Sequence, residues 1–93
     1  MPLTLKFIGA LRQISGKTQL IVPFQEESLK ELLAKLGKEM PQLEKIFDAD
    51  LLNDSKSNAL VLVNGREISV LNGLETKLND EDEIVFIPVV HGG

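Results

Sequence analysis

The sequence predicts an α+β domain in which a sheet of about five strands carries one main helix across one face. Short runs of β-branched and other apolar residues recur at strand length, a single amphipathic helical stripe follows the second run, and turn-forming residues separate the remaining runs. The order strand, strand, helix, strand, strand, strand is typical of one sheet packed against one helix.

The N-terminal segment predicts two strands joined by a loop. Leu3, Leu5 and Phe7 alternate with polar residues, which is the period-two pattern of a strand with one buried face. A second run rich in β-branched residues covers Thr18 to Val22. We therefore expect a hairpin whose two strands are connected by a loop over Leu11 to Gly16.

A capping box predicts where the main helix begins. Ser28 is followed three residues later by Glu31, so each side chain can satisfy a free backbone N–H of the other at the helix N-terminus. Four leucines then recur at the spacing of one helical stripe. They are Leu29, Leu32, Leu33 and Leu36. Gly37 is the predicted end of this helix.

A shorter helix is predicted after the main one. Pro41 suits its first position, because the N–H that proline lacks would have no helical partner there. Leu43, Ile46 and Phe47 are expected to face inward. Residues 51–58 are predicted to form a polar loop.

The C-terminal half predicts a tight hairpin and a last strand. Leu60 to Val63 is a continuous apolar run, and Asn64-Gly65 after it is a strong signal for a turn that needs positive φ angles. Arg66 to Val70 is the predicted returning strand. The acidic turn from Asn79 to Glu83 contains the run Asp80 to Glu83, which lacks the spacing of a calcium loop and is interpreted as a solvated turn rather than as a site for a cation or a basic partner. Ile84 to Ile87 is the predicted last strand.

The composition excludes several classes of function. Acidic residues outnumber basic ones 14 to 10 and the basic ones are scattered, so we expect no direct nucleic-acid partner. With no cysteine and one histidine, the chain lacks the means for a thiolate zinc site or a nucleophilic site, and we expect neither a bound metal nor a free-standing enzyme. No apolar run reaches the ~18 residues of a membrane span and no signal-peptide core is present, so we expect a cytoplasmic protein.

Two strands are apolar on both faces. Val61 and Val63 are as apolar as their neighbours, and Phe86 and Ile87 lie in a run of the same kind. A sheet with one solvated face would instead alternate apolar and polar residues along each strand. Either a loop covers the second face, or these residues form a hydrophobic patch that docks a partner.

The segment after Pro88 predicts a tail, since proline cannot donate a ladder hydrogen bond. Five residues can extend ~16 Å from the body of the protein. They are Val89, Val90, His91, Gly92 and Gly93. A glycine pair packs nothing and costs conformational entropy, so it suits a place where a narrow tunnel on a partner must approach the backbone closely. We predict a domain over residues 1–88 and a flexible Gly-Gly tail over residues 89–93.

The α-carboxylate of Gly93 is the predicted reactive group. A free carboxylate is ionised near neutral pH and is inert toward amines and sulfur nucleophiles, so it needs activation. Its attack on the α-phosphate of ATP gives an acyl-adenylate, from which a partner's cysteine persulfide or thiolate can displace AMP. This chain then needs no bound cofactor, because the activating partner uses the ATP and Mg. His91 either orients the tail or serves as an exposed spacer.

Several motifs resemble those of a known family. Val63-Asn64-Gly65, the segment Leu71 to Thr76 and the Gly-Gly ending resemble the β-grasp sulfur-carrier group, which includes the molybdopterin synthase small subunit, the thiamin sulfur carrier and the ubiquitin-related modifier. Phe86-Ile87-Pro88-Val89 resembles the Phe-Pro-Pro-Val run of the molybdopterin synthase subunit, with isoleucine at the first proline. His91-Gly92-Gly93 is similar to the ending of the ubiquitin-related modifier. Glu81 stands in a turn where glycine is common in this family.

The resemblance implies a ubiquitin-like β-grasp fold and a sulfur-carrier function. By resemblance, Gly93 is adenylated by a ubiquitin-activating-type enzyme and converted to a thiocarboxylate that donates sulfur to molybdopterin synthesis or tRNA thiolation. The implied partners are that enzyme, a molybdopterin synthase large subunit or a tRNA thiolase, contacted through Val89, Val90, His91 and Gly92. The alternative is a protein modifier joined through an isopeptide bond to lysines of target proteins. An interaction module with an inert tail remains a third interpretation.

Overall fold

The elements of the computed structural model follow the predicted order, with additions in the connections. The model describes residues 1–44, residue 47 and residues 59–89. The strands are β1 (Pro2–Phe7), β2 (Gln19–Pro23), β3 (Ala59–Val63), β4 (Arg66–Glu67) and β5 (Glu83–Pro88), and the α-helices are α1 (Ala10–Ser15) and α2 (Leu29–Glu39). Short 3-10 helices cover Pro41–Leu43, Ile68–Val70 and Gly73–Glu75.

The five strands of the described residues form one mixed sheet in the order β2-β1-β5-β3-β4. β1 and β5 pair in parallel at its centre, in a register that places Leu5 opposite Ile84 and Phe7 opposite Phe86. The other three pairs are antiparallel. A parallel pair cannot be joined by a tight turn, so the long connection between β1 and β5 carries the helix. The predicted α+β class, with a mixed sheet and one main helix, is confirmed.

The core lies between α2 and the central strands. The helix contributes a stripe whose members are at most 2% exposed, and β1 and β5 contribute residues that are fully buried. The helix residues are Leu29, Leu32, Leu33 and Leu36, and the strand residues are Leu3, Leu5, Phe7, Ile84 and Phe86. Each such side chain contributes roughly 1.5–3 kcal/mol when it leaves water, so this layer supplies most of the stability.

Three phenylalanine rings meet at one end of this layer. The ring centroids of Phe7 and Phe86 are 5.6 Å apart, and those of Phe47 and Phe86 are 5.1 Å apart. Aromatic pairs at such separations stabilise a core beyond the apolar area they bury. Phe47 and Leu43 are both buried, as the helical spacing predicts, and the Phe47 N–H donates to the Leu43 carbonyl at 2.9 Å. Ile46 and the predicted loop over residues 51–58 lie outside the described residues.

The main helix begins where the sequence predicts and ends later. The Ser28 hydroxyl accepts from the Glu31 N–H at 3.2 Å, and the Glu31 carboxylate accepts from the Ser28 N–H at 3.2 Å, which completes the capping box. The predicted end at Gly37 is wrong, because the helix continues to Glu39. Pro41 sets the end instead: a residue before proline is disfavoured in the α region, and Met40 has φ −128° and ψ 85°.

Two predicted connections have more structure than expected. The loop predicted over residues 11–16 contains α1, because Leu11 and Ser15 lie one turn apart and both are buried. The returning strand predicted over residues 66–70 pairs only at β4. It then turns into a 3-10 helix, where the Glu67 carboxylate accepts from the Ser69 N–H at 2.9 Å and Ile68 is buried.

The Asn64-Gly65 turn is confirmed, and it is tied to the acidic stretch. Asn64 and Gly65 have φ angles of 52° and 83°, as a tight hairpin of this kind requires. The Asn64 amide donates to the Asp82 carboxylate at 2.7 Å, and the Asn79 N–H donates to its other oxygen at 2.7 Å. Asp82 is only 6% exposed, so the interpretation of a solvated turn is wrong for this residue. Its carboxylate holds the β3–β4 turn against the start of β5.

No helix among the described residues has the length and apolar character needed to cross a bilayer. The boundary predicted between a domain over residues 1–88 and a tail over residues 89–93 stays a prediction.

Glu81 gives a stability prediction, because it adopts a φ of 69°, a region that disfavours residues with a Cβ. Glu81→Gly should raise the free energy of unfolding by about 0.5–1 kcal/mol, since relief of about 1–2 kcal/mol of left-handed strain outweighs the extra freedom of glycine in the unfolded chain. Urea denaturation measures the change. Glu81→Gln is the matched control, because it removes the charge and keeps the strain. Equal stabilisation by both variants would assign the effect to charge and contradict the backbone argument.

Candidate functional site

The sheet face opposite α2 carries a cluster of apolar side chains on its two central strands. In the antiparallel pairing of β3 with β5, Leu60 lies opposite Ile87 and Leu62 lies opposite Val85. Leu60 is 37% exposed and the other three side chains are half-buried. We call these four residues the apolar patch. Its contiguity across two strands, away from the helix, makes it a candidate docking surface.

The structure corrects the residues predicted for this surface. Val61, Val63 and Phe86 are 2%, 6% and 0% exposed, because they face α2 and belong to the core. Of the predicted patch, only Ile87 lies on the face opposite α2. Alternation along a strand explains the error, since a shift of one residue exchanges the two faces.

Leu60, Leu62 and Val85 were missed for a definable reason. The size of Phe86 is a signal that this residue takes the core side of β5, which leaves Val85 and Ile87 on the other side. No such signal exists within β3, where valines alternate with leucines. The register of β3 against β5 decides which residues of β3 face α2. Val61 lies opposite the buried Phe86 and therefore faces the helix.

The charged groups beside the apolar patch are already engaged. On the same face, the Lys6 ammonium lies 3.0 Å from the Glu83 carboxylate. The Lys6 side chain is 42% exposed and the Glu83 side chain is 44% exposed. Such an exposed pair contributes little stability. Glu67, opposite Leu62, accepts from the Ser69 N–H. The surface therefore presents an apolar centre beside one ion pair and one hydrogen-bonded carboxylate, which suits recognition by apolar contact.

The end of β5 is held against the start of α1. The Ile8 N–H donates to the Phe86 carbonyl at 3.0 Å, which extends the β1–β5 pairing by one residue. Gly9 follows with a φ of 56°, and a Cβ at this position would lie 3.1 Å from Cγ of Pro88. The backbone of Gly9 thus makes room for the proline ring.

Val89 is the last described residue of the predicted tail, and it is 37% exposed. It continues from β5 at the same end of the strand as Ile87 of the apolar patch. Val90, His91, Gly92 and Gly93 lie outside the described residues, so their roles stay predictions. The structure therefore places the base of the tail beside the patch, at one end of the sheet.

A metal centre has no support among residues 1–44, 47 and 59–89. No group of three or more His, Asp or Glu side chains in these ranges is arranged to hold a metal ion. The Asp82 carboxylate is engaged by Asn64 and Asn79, which makes it a structural group.

Comparisons with known proteins agree with this architecture. Small archaeal modifier protein 3 of Haloferax volcanii is 31% identical over 98 aligned residues, and the alignment covers 100% of both chains. Ubiquitin-related modifier 1 of Bos taurus is 35% identical over 83 residues, which cover 83% of this chain and 77% of the relative. The solution structure of small archaeal modifier protein 1 from Methanosarcina acetivorans matches with a TM-score of 0.73 at 29% identity, covering 99% of this chain and 96% of that one.

A match to a protein-family model identifies the family of this chain. The model described as the ThiS family matches residues 5–93, which include the last three residues of β1 and all of β2 to β5, and the match extends through Gly92 and Gly93. The resemblance of the motifs to β-grasp sulfur carriers and ubiquitin-like modifiers is thereby confirmed, and the chain belongs to the ThiS family.

Proposed function

We propose that this protein is a sulfur carrier whose Gly93 carboxylate is adenylated by a ubiquitin-activating-type enzyme and converted to a thiocarboxylate. The observation that carries the proposal is the family match, which runs through residue 93 and so includes the Gly-Gly ending. The geometry adds that β5 delivers the chain beside the apolar patch. A partner seated on the patch has the base of the tail within its footprint.

The chemistry follows from the inertness of a carboxylate. One oxygen of Gly93 attacks the α-phosphate of ATP and pyrophosphate leaves, which gives an acyl-adenylate. The terminal sulfur of a partner's cysteine persulfide then displaces AMP and forms an acyl disulfide. A second thiol attacks the partner's sulfur, forms a disulfide with it and releases the thiocarboxylate. Since this chain has no cysteine, both thiols belong to the partner proteins.

In this proposal the tail brings the Gly93 carboxylate into the active site of the partner. Five residues after β5 extend at most ~16 Å, so the terminus reaches an active site that lies close to the docked sheet. Two terminal glycines carry no side chains, so they fit a narrow channel and let donors in its wall approach their backbone. Val89, Val90 and His91 form the wider part of the tail and contact the mouth of that channel.

Two acceptors for the sulfur are consistent with the motifs. Phe86-Ile87-Pro88-Val89 favours the synthesis of molybdopterin, in which the chain would act as the small subunit of the synthase beside a large subunit. His91-Gly92-Gly93 favours tRNA thiolation, in which a tRNA thiolase would receive the sulfur. In both, the carrier is a co-substrate, and the catalytic groups belong to its partners.

A second candidate function has its own supporting observation. Both curated relatives described above are named as modifiers, one archaeal and one bovine. In this alternative the activated Gly93 carboxyl is transferred to a lysine amine of a target protein, which forms an isopeptide bond. Target peptides that carry a Gly-Gly remnant on lysine would identify this function, and the activation step is common to both.

Deletion of Gly93 tests the shared activation step. The variant should unfold at the same urea concentration as the full chain and should lose at least about 100-fold in ATP–pyrophosphate exchange by the cognate activating enzyme, because the reacting carboxylate is one residue short of its position. Unchanged exchange would contradict the proposal. Deletion of Met1, which is 76% exposed at the other terminus, is the matched control and should leave exchange unchanged.

The apolar patch gives a separate prediction about docking. Leu60→Glu places a charge at the edge of the patch and should raise the KM for the carrier about tenfold or more, with a small change in kcat, because docking weakens and the tail chemistry is kept. Val70→Glu is the matched control, since Val70 is 72% exposed in a 3-10 helix outside the sheet. An equal rise in KM for both variants would show that the patch has no special role.

A further inference from the structure

β2 is an edge strand, at the opposite side of the sheet from β3 and β4. It pairs with β1 along one side only, and no strand of the described residues pairs with its other side. An edge of this kind presents unpaired N–H and C=O groups that are a template for another strand. Ile21, at its midpoint, is 55% exposed, and no charged residue occurs within Gln19–Pro23 to discourage pairing.

The hydrogen bonding of β1 with β2 identifies the groups that face outward. The Phe7 N–H donates to the Thr18 carbonyl at 3.0 Å, so the backbone of Thr18 points at β1. Since backbone direction alternates along a strand, Leu20 and Val22 also point at β1. Gln19 and Ile21 therefore present N–H groups to the free side, and the carbonyls of Gln19, Ile21 and Pro23 point the same way.

The outward N–H and C=O groups of β2 match those of a second copy of β2 that runs in the antiparallel direction. A two-fold axis at Ile21 places this residue opposite its own copy, so each Ile21 N–H meets the Ile21 carbonyl of the other chain. Each Gln19 N–H then meets the Pro23 carbonyl of the other chain. Pro23 has no N–H, so the ladder ends there on both sides without an unpaired donor.

The charges that flank β2 favour the same direction. Lys17 precedes the strand and Glu26 follows it, both are exposed, and neither forms an ion pair with another described residue. Antiparallel pairing about Ile21 brings the basic end of one copy to the acidic end of the other, at both ends of the ladder. Parallel pairing would bring like charges together. The flanking charges thus favour antiparallel pairing of β2 with β2 of a second copy.

We propose that the protein self-associates through antiparallel pairing of β2 with β2 of a second copy, which joins two sheets into one of ten strands. The apolar patch and the base of the tail lie on β3 and β5, away from this edge. The dimer therefore presents two free tails. The interface is small and each copy carries a net charge of −4, so the association is weak, with a dissociation constant of about 0.1–1 mM.

Concentration-dependent amide exchange tests the ladder directly. When the protein is concentrated to about 2 mM, the Gln19 and Ile21 amides should become protected from hydrogen exchange, because they enter hydrogen bonds between copies. The Leu20 and Val22 amides are internal controls, since they already bond to β1 and should not change. Sedimentation equilibrium measures the dissociation constant in the same samples.

Variants test the register and the orientation. Ile21→Lys should weaken the association at least about tenfold and leave urea unfolding of the monomer nearly unchanged, because this exposed side chain lies outside the core.

Lys17→Glu and Glu26→Lys should each weaken self-association about tenfold, since each creates like-charge contacts at both ends. An equimolar mixture of the two should associate as well as the wild type, because both ends of the mixed dimer then carry opposite charges.

The outcomes separate the proposal from its rivals. Recovery in the mixture, together with selective protection of Gln19 and Ile21, is the expected result. A protein that stays monomeric at about 2 mM overturns the proposal. So does a dimer that tolerates Ile21→Lys, which would place the contact elsewhere, or one that the charge reversals leave unchanged. Protection of these amides only when a partner protein is added also overturns it, by assigning the edge to a partner's strand.

Discussion

The parallel pairing of β1 with β5 is the constraint on which the rest of the structure depends. It places Phe7 opposite Phe86 at the centre of the sheet and directs both rings into the layer beneath α2. The alternate residues of β5, Val85 and Ile87, must then lie on the face opposite the helix. The β3–β5 register transfers the same assignment to Leu60 and Leu62. One buried aromatic pair thus decides which residues form the apolar patch and where the chain leaves the sheet.

Local signals in the sequence predicted the positions of helices and turns better than they predicted which face of the sheet each strand residue occupies. The capping box at Ser28, the leucine stripe of α2 and the Asn64-Gly65 turn each depend on residues close in sequence, and all three are confirmed. The faces of β3 and β5 depend on pairing between strands distant in sequence. A run in which every residue is apolar carries no period-two signal, so Val61 and Val63 were assigned to the wrong side.

The remaining differences have two origins. Gly37 is a common helix stop, but the conformational restriction that Pro41 places on Met40 sets the end of α2. Asp82 belongs to an acidic stretch that is typical of a solvated turn, yet Asn64 and Asn79 satisfy its carboxylate in a buried position. At Asp82 a contact formed by folding outweighs a local preference, whereas at the end of α2 one local signal outweighs another. The Gly-Gly ending was recognised from sequence alone, because its proposed function depends on the backbone of the chain end rather than on a packed position.

The proposed functions divide among three parts of one small sheet. In the proposals, the apolar patch docks the activating partner, the tail after β5 carries the reactive carboxylate, and the β2 edge joins two copies at the opposite side. Because β1 lies between β2 and β5, the proposed edge contact and the apolar patch use different strands. Under the proposed sulfur-carrier function, the thiols belong to partner proteins, because this chain has no cysteine, and the carrier supplies the carboxylate that they modify.

The measurement that tests the central claim most directly is the state of the terminal carboxyl after activation. The protein is incubated with its activating enzyme, ATP and a persulfide donor, then treated with an alkylating reagent and digested, and the C-terminal peptide is examined by mass spectrometry. Alkylation on the thiocarboxylate of Gly93 is the predicted result. Alkylation also identifies the product in the intact protein, where the exchange of one oxygen for sulfur has nearly the same mass change as oxidation of Met1 or Met40. Pyrophosphate release with a terminal carboxyl that never acquires sulfur would contradict the account.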